Sequence, residues 1–125
     1  MEKALRSELA LLFPGTDIWP ATAPLHKKPP FVVYQRDYTV WKKTLDGFTG
    51  REEIGFVINV FGKDHDEMQA MRSKAEGLVR GMLGARIGEG EAAVEVRDVD
   101  LNGVAEIFEP KLSLYRGVVD FTAHI

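Results

Sequence analysis

The residue types able to do chemistry are few in this chain, and they are scattered. Its three histidines, His26, His65 and His124, fall in three different kinds of segment. No H-x-x-x-H or H-E-x-x-H spacing sets two imidazoles on one helix face, as a zinc hydrolase requires. Asp64-His65-Asp66 offers three possible metal ligands in a row, but adjacent residues at a helix start point in different directions. A capping carboxylate with solvated neighbours accounts for them. His26, in a proline-rich loop, and His124, near the chain end, have no nearby partner that would tune them. The serines, Ser7, Ser73 and Ser113, lie outside any G-x-S-x-G elbow, so acyl transfer lacks a nucleophile. Gly84-Ala85-Arg86-Ile87-Gly88-Glu89-Gly90 is glycine-rich but lacks the Walker lysine and the dinucleotide pattern. No catalytic, cofactor-binding or metal-binding residue is assigned, and the chain reads as a non-enzyme.

Lys42-Lys43 beside Trp41 is a pattern that could touch a phosphate backbone and stack on a base. Two lysines on an exposed tip are more often solubilising charge or a protein contact. The formal net charge of −3 argues against general affinity for duplex DNA, although it suits a wall past which DNA slides. Sequence-specific nucleic-acid binding is not expected. With no cysteine, disulfides and thiolate metal sites are excluded, as suits a reducing cytoplasm. No apolar run reaches the roughly 18 residues of a membrane span, and the N-terminal residues read as an amphipathic helix rather than a signal peptide. A membrane partner is not expected.

At 125 residues the chain is expected to form a single domain, 1–125, around one core. Leu5, Leu9 and Leu12, with Phe13, form the apolar stripe of a short helix stopped by Pro14-Gly15. Pro20, Pro24, Pro29 and Pro30 then impose a stiff connecting loop, because each fixes φ and removes a donor. From Phe31 the period is two, with Val32, Tyr34, Tyr38 and Val40 on one face; it resumes at Ile54, Phe56, Ile58 and Val60. The ten residues between, Trp41 to Gly50, exceed a tight hairpin loop and form an extended tip. Asp64 with Glu67 is a capping box opening a second helix, whose buried face carries Met68, Met71, Ala75, Leu78, Val79 and Met82. Val94, Val96, Val99 and Leu101 suggest a further strand whose parity slips between Val96 and Val99. Asn102-Gly103 reads as a turn before Ile107-Phe108-Glu109-Pro110. The closing strand places Tyr115, Gly117, Val119, Phe121 and Ala123 in alternation. The expected fold is α+β: a mainly antiparallel four- to five-stranded sheet, two helices packed on one face, and a long protruding β-hairpin.

The segments in their order also resemble a known family. Phe31-Val32-Val33-Tyr34-Gln35 follows a proline-rich loop as a first long strand, and Thr44-Leu45-Asp46-Gly47 forms the tip. Strand 52–61 and the helix opening at Asp64 come next. Phe108-Glu109-Pro110 with Leu114-Tyr115-Arg116-Gly117-Val118-Val119-Asp120-Phe121 closes the series. This layout is similar to that of phage tail completion proteins, the tail terminators of siphophages or prophages, from Glu2 to Ile125. The resemblance implies a curved antiparallel sheet flanked by helices, and no catalytic residues or cofactor. It implies a ring of six copies of the chain capping the head-proximal end of a tail tube. Its partners would be itself, the tail tube protein and the head–tail connector proteins, with DNA passing through the ring. Assembly would take place in the host bacterial cytoplasm, and the product would reside in the virion tail.

Trp41, Lys42, Lys43, Leu45 and Phe48 are the expected oligomer or tail-tube interface, because large apolar residues on an arm call for a partner. The competing arrangement folds the tip back onto its own domain. Two further functions fit the same residues: a head–tail adaptor or stopper of the neck, and a small dimeric ligand-binding α+β domain with a pocket in its core.

Overall fold

A computed structural model describes residues 1–24, 27–110 and 114–125, and of Phe48 the backbone alone. His26 and Ser113 lie outside the described residues. In chain order the elements are α1 (Glu2–Leu12), β1 (Asp17–Pro20), β2 (Phe31–Thr44), β3 (Gly47–Gly62), α2 (His65–Gly81), β4 (Arg86–Ile87), a 3-10 turn (Gly90–Ala92), β5 (Val94–Glu95), β6 (Asp98–Glu109) and β7 (Leu114–His124). Five strands form one sheet in the order β1-β2-β3-β7-β6, antiparallel except for the parallel pair β1–β2; β4 and β5 pair separately. This is the α+β fold expected from the sequence. No described helix is long and apolar enough to cross a membrane.

The core lies between the helices and one face of the sheet. Alternation supplies that face: Val32 and Tyr34 from β2, Ile54, Phe56, Ile58 and Val60 from β3, and Val119, Phe121 and Ala123 from β7 are all buried. Phe56 and Phe121 stack across the β3–β7 pair with centroids 5.7 Å apart. The helices answer at 3.6-residue spacing, α1 with Leu5 and Leu9 and α2 with Met68, Met71, Ala75 and Val79. Each leucine or valine so placed contributes about 1.5–3 kcal/mol from burial.

Helix α2 begins as its capping pattern requires. Asp64 accepts from the Glu67 amide at 2.8 Å, while the Glu67 carboxylate accepts from the Lys63 amide at 2.9 Å. The return contact thus reaches one residue further back than a capping box predicts. Gly62 allows the helix to start so close to β3, since a Cβ there would stand 2.5 Å from the Met68 amide nitrogen.

Four expectations are corrected. First, Pro20 does not belong to the connecting loop; it ends β1, a strand of four residues too short for periodicity to reveal, and is tolerated there because the strand is an edge. Second, Tyr38 and Val40 do not share a face with Val32 and Tyr34. A bulge between Arg36 and Tyr38 inserts Asp37, and the parity flips: Tyr38 pairs with Gly55 and Val40 with Glu53, on the face away from the helices. Third, Trp41–Gly50 is not a ten-residue loop. The strands continue to the pair Thr44↔Gly47, leaving Leu45-Asp46 as a two-residue turn, with Gly47 at φ +120°. Fourth, Asn102-Gly103 is not a turn. It is a bulge between Leu101 and Gly103 inside a continuous β6, which is why Val99 and Leu101 face the core while residues beyond change parity.

The second face of the sheet is partly covered by the proline-rich segment. A groove of about 720 Å³ lies between them, walled by Phe31, Val33, Phe61 and Leu114. Three of its polar groups are engaged with one another: Arg116 Nε donates to Asn59 Oδ1 at 2.8 Å, and its guanidinium lies 3.5 Å from Glu109.

Candidate assembly surface

Strand β3 loses its second neighbour at the pair Glu53↔His124, one residue before Glu52 and Ile125 exchange backbone hydrogen bonds of 3.1 and 2.9 Å. Beyond that point β2 and β3 have only each other. After a register irregularity between Trp41 and Lys43, the pairs Lys43↔Phe48 and Thr44↔Gly47 and their turn run past the sheet. A two-stranded ribbon with neither face packed is marginal in water, so its side chains settle what it is for. Trp41 is 61% exposed and Leu45 fully so, and Val40 is also exposed. Lys42 and Lys43 are exposed beside them; the side chain of Phe48 lies outside the described residues.

Local hydrogen bonds shape this extension. Thr44 Oγ1 accepts from the Asp46 amide at 3.3 Å across the turn. Thr49 Oγ1 donates to the Lys42 carbonyl at 3.2 Å and accepts from the Arg51 amide at 3.2 Å. At the base, Lys42 forms an ion pair with Glu53. That lysine hydrogen bond holds the Glu53 carboxyl below the usual carboxylate range.

His124 is not isolated, contrary to the sequence reading. Its Nε2 lies 2.8 Å from Asp100 Oδ2 and its Nδ1 3.7 Å from Glu53 Oε1. Strand pairing across β3, β7 and β6 gathers these groups from distant parts of the chain, which no local motif could announce. Asp98, Asp100 and His124 carry ligand atoms within 4.8 Å of one another, and they are the described residues best placed to hold a cation. Both aspartates are exposed, however, and Asp98 already accepts from the Val99 amide at 2.9 Å. His65, the other described histidine, lies 3.8 Å from Glu106 and edge-on to Tyr115, beside the capped helix start.

A second acidic pair lies on the same sheet face. Burial and the neighbouring Asp120 push the Asp37 carboxyl above its ordinary range.

One feature of this surface is absent from the sequence reading. Strand β6 is a sheet edge, and Val104, Ile107 and Phe108 on it are exposed. The signal was present: residues 98–109 carry four carboxylates and no lysine or arginine. Reading Asn102-Gly103 as a turn divided the strand and hid it.

This architecture has a counterpart among solved structures. A chain in the virion of a native gene transfer agent particle superposes with a TM-score of 0.63 at 19% identity. The match covers 98% of this chain and 89% of that one. The fold is that of a virion chain. No family model matches the sequence, and no curated protein matches it.

Proposed function

We propose that this chain is a structural virion assembly protein of the tail-completion type. It caps the head-proximal end of a phage tail tube as a ring of six copies, ends tube polymerisation and presents the surface onto which the head docks. The observation that carries this reading is the near full-length fold match to a chain of a gene transfer agent virion. The tip residues support it: Trp41 and Leu45 stand out in solvent on the paired ribbon, as an interface anchor does before its partner arrives. Trp41, Lys42, Lys43, Leu45 and Phe48 are assigned to that contact, with a neighbouring copy or with the tube. The role is scaffolding, played in the host cytoplasm and then in the virion, and DNA passes the ring without being read.

The pocketed ligand-binding alternative draws on the groove under the proline-rich segment. Its weakness is chemical, because Arg116, Asn59 and Glu109, at one wall of that groove, satisfy one another rather than facing a ligand.

The test is to mix the purified protein with tail tubes and image them by negative stain. Density at one end of each tube, with tube length limited, is the expected result. Binding to a portal complex but not to tubes would reassign the chain to the neck as an adaptor or stopper. Binding to neither would remove the proposed role.

A further inference from the structure

We infer that the outer edge of β6 is the surface on which one copy receives the hairpin extension of the next. This contact rests on the ring reading and names its two halves.

The two edges of the sheet differ in how they are protected. Strand β1 is four residues long and ends in Pro20, a blunted edge. Strand β6 is twelve residues long. Natural edges are usually guarded by charged side chains, lysine above all, by proline or by a bulge, and β6 has its four carboxylates and one bulge. Residues 98–109 contain neither lysine nor proline. The one bulge, at Leu101/Gly103, leaves Gly103–Glu109 in regular register with β7. That stretch presents outward-facing amides and carbonyls to solvent, together with Val104, Ile107 and Phe108. Among the described residues, no strand pairs with it.

The hairpin extension is complementary in three ways. The outer side of β3 is unpaired in the segment before Glu52, so it can add to a sheet edge through the main chain. Its exposed apolar residues, Val40, Trp41 and Leu45, match those of β6. Residues 40–52 carry Lys42, Lys43 and Arg51 against Asp46 and Glu52, whereas 98–109 carry Asp98, Asp100, Glu106 and Glu109 with no basic residue within the strand; Lys42 already pairs with Glu53, and Asp100, Glu106 and Glu109 with His124, Arg72 and Arg116 of the same chain. Opposite potentials of this kind fix orientation and exclude wrong partners.

A chain cannot make this contact with itself. Its β7 stands between β3 and β6, and the extension leaves the sheet at the Glu53–His124–Asp98 end, away from Glu109. The partner is therefore a second copy. The contact is head-to-tail, and such contacts close into rings when the rotation between copies is a whole fraction of a turn.

The experiment uses the full chain, with association followed by sedimentation and light scattering over a concentration series. Lys43→Glu with Arg51→Glu alters the extension, and Asp98→Lys with Glu109→Lys alters the edge. Each pair is expected to weaken association about tenfold or more at low salt, and all four together to restore it. Hydrogen exchange on the unaltered protein gives a readout independent of any variant's folding. Amides in 103–109 should exchange more slowly in the assembled form than in the monomer. Unchanged exchange there, failure of the combined variant to restore association, or a chain that never self-associates would overturn this contact. Binding to tube ends is scored separately, so loss of this contact and loss of the capping role are distinct results.

Discussion

The hydroxyl of Tyr38 on β2 lies 2.8 Å from Thr122 Oγ1 on β7, although β3 runs between them. The ring spans the intervening strand at Gly55, where a Cβ would stand 2.2 Å from Tyr38 Cε1. Asn102 on β6 donates to the same threonine oxygen at 2.9 Å. Four adjacent strands are thus tied together on the face away from the helices, close to where the extension leaves the sheet.

Tyr38→Phe removes one side of that link while Thr122 keeps its Asn102 donor. The expected loss is at the low end of a hydrogen bond's net contribution, about 0.5–1 kcal/mol in chemical denaturation. Gly55→Ala should lose at least as much, because the ring must swing off the strand. A variant of unchanged stability would show that the tyrosine contributes nothing to holding the strands.

Gly62→Ala presses a methyl group against the Met68 backbone, which no side-chain rotation can relieve. Helix α2 would have to move away from β3. A loss of about 1–3 kcal/mol is expected, the range for overpacking. Gly77→Ala, with open space at its Cβ on the same helix, should instead stabilise slightly.

Asp64→Ala deprives the α2 N-terminus of its cap and should cost about 1 kcal/mol. Glu67→Ala exposes the Lys63 amide to water rather than burying it unpaired, so its cost should be smaller. Thermal melts of the two variants would rank them.

Trp41→Ala and Leu45→Ala should leave the stability of the isolated chain within about 0.5 kcal/mol, as for exposed positions. Both should abolish capping or self-association, where an aromatic anchor is worth about 2 kcal/mol or more. A large loss of monomer stability with assembly intact would place these side chains in folding rather than contact.

Asp37 has a raised carboxyl pKa in the folded chain, so its ionisation opposes folding. That group's contribution is fully favourable below the unfolded carboxylate range and is lost as pH rises through the folded value. Asp37→Asn should therefore stabilise the protein at neutral pH by a few tenths of a kcal/mol, roughly the surface scale. The gain should vanish when melts are repeated below the carboxylate range. A gain that persists in acid would trace to packing instead of charge.

The sequence by itself determined the elements whose causes are local. Helix α2 follows from Asp64, Glu67 and a methionine-rich stripe at 3.6-residue spacing, and the core face of β3 from strict alternation over Ile54, Phe56, Ile58 and Val60. It also marked Trp41 and Leu45 as large apolar residues flanking turn chemistry. What the tertiary structure alone decided depends on register between distant strands. Inserting Asp37 as a bulge moves Tyr38 to the opposite face, because side-chain direction has period two and one extra residue inverts it. Pairing of β7 with both β3 and β6 brings His124 beside Glu53 and Asp100, residues dozens of positions away. The order of the strands leaves β6 as an open edge. An edge is a property of which strand is missing beside it, and no run of residues within the strand specifies that.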